Sequence, residues 1–407
     1  MRVLAINSGS SSVKCALFEA PATSGSDGFI PLAVLFTGAV TGIGSRAAVK
    51  QRESGATPIH QTVDIQTHEE AVRRLLHQVS AKGIEAVGHR VVHGGHWFTE
   101  STRIDQRFLS RLDELAELAP LHNPASVAGI REARAFLGDQ TPMVAVFDTA
   151  FHHHLPDYAR TYALPHGLAE RYHIRRYGFH GLAHGSSTAL YAETTGKPIG
   201  TVNLITLHLG NGCSASAIRG GRSVDTSMGF TPLEGLIMGT RCGDIDAALV
   251  GFLARVTDRS CAEVERMLNE QSGLLGLSGL SSDMATLLEA ERNGHPGARL
   301  AVETFGYRVR KYLGAYLAVL GRTDAVVFSG GIGEHAPGIR SRICSKMKWC
   351  GVILDEDANE AITRLESGTI TRISRSDSAP AVFVAGVDEE SAIARETLSC
   401  LAGLRQQ

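Results

Sequence analysis

The chain has 407 residues, enough for two or three domains, and an ordinary globular composition of 43% hydrophobic and 20% charged residues with 44 Gly and 13 Pro. Its 40 basic and 42 acidic side chains leave a formal charge of −2, so neither nucleic acid nor an anionic membrane is called for as a partner. No apolar run reaches the roughly 18 residues of a spanning helix, no signal-peptide pattern opens the chain, and seven scattered cysteines without a CxxC spacing point to a reduced, cytoplasmic protein.

The first 18 residues read as two short strands. Val3-Leu4-Ala5-Ile6 is an apolar run, Asn7 to Ser12 is turn chemistry, and Val13 to Phe18 resumes extended character. A surface loop is expected over 21–30. Thr67 with Glu70 makes a capping box for a helix whose apolar face is Ala71, Val72, Leu75, Leu76 and Val79, stopped by Gly83. A strand follows from Ala86 to Val92, then an amphipathic helix from Asp105 to Leu118. Asn123-Pro124 reads as a cap with Pro at the first helical position, and Met143 to Phe147 as a buried strand ending on Asp148.

The second half repeats the style. Val202 to Leu207 is a strand, HLGNGCS (208–214) a turn, and Ala215 to Ile218 extended again. Pro296 to Leu320 has helical period, with Leu300, Phe305, Val309, Tyr312, Leu313, Tyr316 and Leu317 as its apolar side. Asp324 to Phe328 is a strand breaking at SGGIG (329–333), 366–380 a polar loop, Ala381 to Ala385 a last strand, and Asp388 the start of a terminal helix. Strands and helices alternate throughout, so the class is α/β. The strand–turn–strand pattern near residues 7 and 211 is a faint sign of duplication.

Three strand ends carry backbone suited to anions. NSGSSSVK (7–14) exposes N–H groups and hydroxyls beside Lys14, although a solvated Ser-rich hairpin is the plain alternative. HLGNGCS and FSGGIGE (328–334) place glycines where a ligand can come close, and the helix after the second offers its N-terminus. Each alone could be a tight turn; together they favour a nucleotide, since ligands gather outside the carboxyl ends of strands. Arg90 sits in an otherwise apolar strand, so it meets either an anionic substrate or a core carboxylate. His180 in GFHG could equally be a hydrogen-bonded structural histidine. The run His152-His153-His154 is rejected as a metal site, because adjacent side chains do not easily face one ion.

Taken together these segments resemble the acetate kinase (acetokinase) family. The resemblance spans essentially the whole chain, through NSGSSSVK, GHRVVHGG (88–95), PLHNPASVAGI (120–130), VFDTAFH (146–152), RRYGFHG (175–181), HLGNGCS, DTSMGFTPLEGLIMGTRCGDID (225–246), GLLGLSGLSSD (273–283), SGGIGE (329–334) and DEESAIARET (388–397). It implies an α/β fold of two ribonuclease-H-like domains around a nucleotide cleft, as in sugar kinases, actin and heat-shock chaperones. The first would be 1–150 plus 387–407, and the second 151–386, with the nucleotide site and the contacts of a homodimer.

By motif, the resemblance implies a catalytic set of Asp148, His180 and Arg241. Arg90 would hold the substrate carboxylate, with Val92, Leu121, Phe179 and Pro232 lining a small methyl pocket. Ser10, Ser12, Lys14, His208, Leu209, Gly210, Asn211 and Gly212 would serve the phosphates of ATP or ADP. Asp283, Gly331, Ile332, Gly333 and His335 would lie on the adenosine side, His335 standing where the family has Asn. Asn7 and Glu389 would face Mg²⁺ or Mn²⁺, with Glu390 the poorer choice. The chain departs from the family further at Ser8, Leu182-Ala183, Ala285 and Gly386-Val387.

The expected reaction is reversible in-line transfer of the ATP γ-phosphoryl group to acetate. A carboxylate with a pKa of about 4–5 is ionised at neutral pH and needs no general base. Two arginines, an imidazole donor and a divalent cation would offset the charge that spreads over the phosphoryl oxygens. Asp148 is therefore expected to orient Arg90 or a metal-bound water, not to accept a proton. Loss of either arginine should cost roughly 10²-fold in turnover. A propionate or butyrate kinase of the same family is the near alternative, since one methylene is worth only about 1–3 kcal/mol. An ATP-driven switch on the same fold is the alternative of another class.

Overall fold

Val3-Leu4-Ala5-Ile6 forms the middle of β1 (Arg2–Ser8) and is wholly buried, with strands on both edges and helices on both faces. The computed structural model describes the chain except at residues 10, 22–29, 112, 113, 117, 118, 120–122 and 405–407. It contains two units, Met1–Phe151 with Asp388–Gln407 and His152–Val387. Most of the loop expected at 21–30 lies outside the described residues, as do Ser10 and Leu121.

The first unit continues with β2 (Ser12–Glu19), β3 (Ala33–Thr41), β4 (Ala47–Glu53), β5 (Ile59–Val63), β6 (Ala86–Val91), β7 (Thr102–Arg103) and β8 (Met143–Phe147). Their order in the sheet is β5-β4-β3-β2-β1-β6-β8-β7. β1 pairs antiparallel with β2 but parallel with β6, which pairs parallel with β8. The carboxyl ends of β1, β6 and β8 therefore share one sheet edge, and Asn7, Arg90 and Asp148 arrive there together.

Strand alternation decides which face each residue takes. Leu4, Ile6, Val87 and Val91 join the core under the helices His68–Val79 and Asn123–Leu137. Asn7, Gly88 and Arg90 have the opposite parity and face the terminal helix, Glu389–Leu404, which packs on β1, β6 and β8. A methyl group at Gly88 would overlap Thr397 and Ile393 of that helix, so glycine sets its closeness to the sheet.

The Thr67 capping box forms, and its five predicted apolar residues are all buried. Asp388 accepts from Ser391 N at 2.9 Å and starts the terminal helix. The expected helix from Asp105 to Leu118 is broken: Asp105 caps Gln106–Leu109, a turn follows at Ser110 and Arg111, and 114–116 are helical again. Asn123 is not a cap. It already lies in its helix, and its amide bonds the backbone of His93 in both directions (3.1 and 3.0 Å) and the Leu115 carbonyl (2.5 Å).

In the second unit β9 (Asn203–Leu209), β10 (Cys213–Arg219), β11 (Arg222–Thr226), β12 (Ala325–Ser329), β13 (Ile370–Arg372) and β14 (Ala381–Ala385) take the order β11-β10-β9-β12-β14-β13. The strand β13 corrects the loop expected over 366–380: β-branched Ile370 and Thr371 pair antiparallel with the open edge of β14. β9 pairs antiparallel with β10 and parallel with β12, which pairs parallel with β14. Three antiparallel strands followed by two parallel ones thus recur in both units, the ribonuclease-H-like arrangement, and the faint repeat in the sequence becomes plain in the topology. The helix Pro296–Leu320 matches its predicted bounds, and Phe305, Val309, Leu313 and Tyr316 are buried as expected, but Leu300 is exposed, and Ala298, Ala301 and Val302 take the core-facing positions in the first two turns.

Candidate functional site

Two clusters of polar side chains gather at these strand ends, one in each unit. In the first, Arg90 donates through Nε (3.0 Å) and Nη2 (2.6 Å) to the same Asp148 oxygen, and through Nη1 (3.2 Å) to Asn7 Oδ1. Arg90 keeps 14% of its side chain exposed and Asp148 only 2%. Burial alone would pull the guanidinium pKa down; the charges of Asp148 and Glu389 outweigh it and raise the value, so Arg90 stays a cation. Both readings of Arg90 were open in the sequence, and the structure supplies the carboxylate partner.

Asn7 donates from Nδ2 to Glu389 Oε2 at 2.9 Å and to Glu390 Oε1 at 3.1 Å. Burial, then the charge of Glu389, pushes the Glu390 carboxyl above its usual range, against the pull of Lys14 and the Asn7 bond. Lys14 is the cross-strand partner of Asn7 in β2. Ser12 closes the turn by accepting from Gly9 N at 2.8 Å. Val92 is buried just beyond β6, and Asn123 ties down His93, the next residue.

In the second cluster His180 precedes the helix Gly181–Thr195 with a left-handed backbone, φ 57° and ψ 28°. Such a conformation costs a non-glycine residue about 1–3 kcal/mol and persists where the surroundings over-determine it. Those surroundings are visible. His180 Nδ1 lies 2.8 Å from Ser214 Oγ, and its ring centroid is 4.9 Å from that of His208. His208 Nδ1 in turn sits 3.1 Å from Ser329 Oγ.

Gly212 marks where these groups converge. A Cβ built there would lie 3.3 Å from His180 Nε2 and 3.7 Å from Arg241 Nη1. The space above this glycine is thus flanked by an imidazole edge and a guanidinium, the donors an anionic oxygen needs. Arg241 also donates to the Pro232 carbonyl at 3.0 Å. Its loop is held by Gly239 N on the Asn211 carbonyl (2.9 Å), and further along by Glu234 with Arg176 and Tyr162. Asp244 completes the anchoring, accepting from Gly235 N (2.8 Å) and Tyr312 (2.9 Å).

Phe179 is buried, and its carbonyl lies 3.1 Å from His152 Nε2. Burial lowers the His152 pKa to about 4, so this ring is neutral. Nε2–H then serves the carbonyl, and Nδ1 takes the Ser223 hydroxyl at 2.7 Å.

On the expected adenosine side the segment Gly330–His335 is a helix of only six residues, too short for a sizeable dipole at its N-terminus. Gly330 has φ 77° and presses on the backbone of Leu209, itself fully buried, while Gly210 N donates to the Gly212 carbonyl at 3.0 Å. Gly331 is open and Gly333 buried, with Ile332 between them partly buried. Asp283 caps the helix Met284–Arg292 through Thr286 N at 2.8 Å, and His335 Nδ1 is 2.7 Å from the Thr363 carbonyl.

Sequence reasoning missed three residues. Asn123 before Pro124 reads as a cap, His184 carries no motif signal of its own, and Arg340 reads as an ordinary helical arginine. Arg340 is fully buried and donates to the carbonyls of Gly333 (2.9 Å), Glu334 (2.8 Å), Asn359 (2.8 Å) and Ile362 (2.7 Å) and to Asn359 Oδ1 (2.7 Å). Burial lowers its pKa to about 10. It fixes the end of the SGGIGE segment. A fully buried arginine among carbonyls leaves no trace in local sequence.

Comparison with known proteins gives one answer. The acetokinase family matches residues 2–395. The acetate kinase of Chloroherpeton thalassium is 44% identical, covering 98% of this chain and 99% of its own. That of Solibacter usitatus is 50% identical over 80% of this chain and 78% of its own. Among solved structures, Porphyromonas gingivalis acetate kinase is 36% identical with a TM-score of 0.87, covering 98% of this chain and 99% of its own. A propionate kinase from Francisella tularensis subsp. tularensis is 37% identical with a TM-score of 0.88 and the same coverages.

Proposed function

The chain belongs to the acetokinase family and is a kinase that transfers phosphate between ATP and acetate; from that premise we propose which of its residues do the work. Arg90 binds the acetate carboxylate, and His180 and Arg241 take up the charge of the phosphoryl group in flight. The convergence of His180 Nε2 and Arg241 Nη1 on the space above Gly212 carries this reading.

The carboxylate oxygen attacks the γ-phosphorus, the bond from that phosphorus to the β-bridging oxygen breaks, and ADP leaves with the electron pair. No proton has to move. Catalysis is then positioning plus electrostatics, as phosphoryl transfer generally requires. Asp148 is a positioning residue: by engaging both Nε and Nη2 it fixes the plane of the Arg90 guanidinium. By the family's motifs, Val92, Leu121, Phe179 and Pro232 are assigned to the methyl group of the acid. By the same motifs, Ser10, Ser12, Lys14 and His208 to Gly212 are assigned to the phosphates of ATP, and Asp283, Gly331 to Gly333 and His335 to its adenosine.

The donor set suits Mg²⁺. That ion prefers hard oxygen ligands, few of them from protein, and keeps waters and phosphate oxygens besides. Among the described residues no cluster of three His, Cys, Asp or Glu side chains could hold a metal unaided. Glu389 and Glu390 nevertheless meet on one neutral amide, and burial, then the charge of Glu389, raises the Glu390 pKa. Asn7 and Glu389 would hold the ion, which when bound neutralises phosphate charge.

A homodimer is supported by the helix Ala248–Thr257, which has no buried residue in this chain. It exposes Leu249, Phe252 and Val256, in line with Ile245, as an apolar stripe for a second copy. The free cysteines, with Cys15, Cys213 and Cys344 buried, accord with the reducing cytoplasm. No helix among the described residues is long and apolar enough to cross a membrane.

The test is turnover with ATP and Mg²⁺ on formate, acetate, propionate and butyrate, trapping the acyl phosphate with hydroxylamine. A maximum at acetate is expected. A maximum at propionate would keep the mechanism and refute the small pocket; no acyl phosphate from any acid would refute the assignment.

A further inference from the structure

Behind His180 lies a line of buried polar groups that the reaction as described does not use. Ser214 Oγ is 2.8 Å from His180 Nδ1 and also 2.8 Å from His184 Nε2. On its far side His184 Nδ1 is 2.7 Å from Thr206 Oγ1. Ser214, His184 and Thr206 are all fully buried. We propose that Thr206, His184 and Ser214 form a one-way chain of hydrogen bonds that fixes His180 in its Nε2–H form, which makes His184 and Ser214 positioning residues for phosphoryl transfer. The inference rests on the placing of His180 in that reaction.

Counting protons gives the direction. The Ser214 hydroxyl has one hydrogen and two nitrogen neighbours, so it donates to one and accepts from the other. Two polarities satisfy that. In the first, Thr206 O–H donates to His184 Nδ1, His184 Nε2–H to Ser214 Oγ, and Ser214 O–H to His180 Nδ1. Every hydrogen in the chain then has an acceptor, and the His180 proton resides on Nε2. In the second, each bond reverses, and the Thr206 hydroxyl hydrogen must find another acceptor. Thr206 Oγ1 has no other hydrogen-bond partner among the described residues, and a buried donor without an acceptor is rare because it is costly. The first polarity is the one in which every hydroxyl hydrogen of the chain meets a protein acceptor, and we take it as the chain's direction.

The scheme requires His184 to carry a single ring proton. Burial lowers its pKa well below the usual histidine value, and His152 and His208 act in the same sense. The outcome also suits the chemistry. His180 Nε2 lies beside the space over Gly212, and an anionic oxygen there is bound by an N–H but repelled by a lone pair.

The deciding measurement is the ¹⁵N spectrum of histidine-labelled enzyme at slightly alkaline pH, where an ordinary imidazole is neutral. The His180 resonances are assigned by their loss in His180→Gln. The proposal expects a protonated-type shift at Nε2 and an unprotonated-type shift at Nδ1 in the wild-type protein. In Ser214→Ala, and to a lesser degree in the isosteric Thr206→Val, the two shifts should move toward each other. Turnover should fall with the Nε2–H population while KM for acetate holds. A wild-type protein protonated on Nδ1, or a tautomer unchanged in both variants, overturns the chain. The spectrum needs no turnover, so failure of the chain is distinguishable from failure of the functional assignment, which the acid series tests.

Discussion

Replacing Gly212 by alanine should silence the enzyme while leaving it folded. Gly212 does not have a positive φ, so alanine adopts its backbone without strain. The new methyl would stand 3.3 Å from both Cε1 and Nε2 of His180 and 3.7 Å from Arg241 Nη1. Those separations are tight to ordinary contacts, and a shift of a few tenths of an ångström accommodates them. An oxygen hydrogen-bonded to Nε2, however, needs a position about 2.9 Å from that nitrogen, and the methyl occupies that space. The variant therefore loses at least one transition-state donor, worth about 10²–10³ in kcat, or roughly 2.7–4 kcal/mol. The assay is hydroxylamine trapping of acetyl phosphate at saturating ATP and acetate, alongside thermal unfolding. A kcat within about threefold of wild type, in a variant that unfolds at the same temperature, would refute the placing of the phosphoryl group over Gly212.

Asp148→Asn keeps the shape but removes the charge opposite a mostly buried Arg90. It should cost about 3 kcal/mol in denaturant unfolding and weaken acetate binding more than turnover, whereas a collapse of kcat with a new pH dependence would make Asp148 a proton acceptor. Glu390, with its folded pKa raised above the ordinary 4.5, binds its proton more tightly when folded. The associated stability is fully present below the unfolded value and lost as pH rises through the raised one. Metal-free wild type should lose stability relative to Glu390→Gln across that window; a flat difference would contradict the burial of Glu390 beside Glu389. Phe252→Asp should yield a monomer by sedimentation, and a persisting dimer would move the interface elsewhere.

Much of the fold was legible locally. The apolar runs of β1, β8 and β12, the Thr67 capping box and the bounds of Pro296–Leu320 follow from propensities and periodicities that act over a few residues. What failed locally failed for long-range reasons. Residues 366–380 include a strand because β14 presents an open edge to them, and the Asn123 amide bonds His93 because β6 ends beside its helix.

The candidate site divides the same way. Residue types can be read along the chain: glycine-rich turns at strand ends, an arginine in an apolar strand, and family motifs that mark the chemistry. Which side chains meet is settled by the folding of distant segments onto one another. Asn7 meets Glu389 from 382 residues away because β1 alternation turns it toward the terminal helix. His180 meets Ser214, and Ser214 meets His184, because β10 lies against β9 beneath the helix that carries His184. Hydrogen bonds between segments distant in sequence depend on register and helix placement, which are set by packing of the whole sheet; residue spacing carries no record of them.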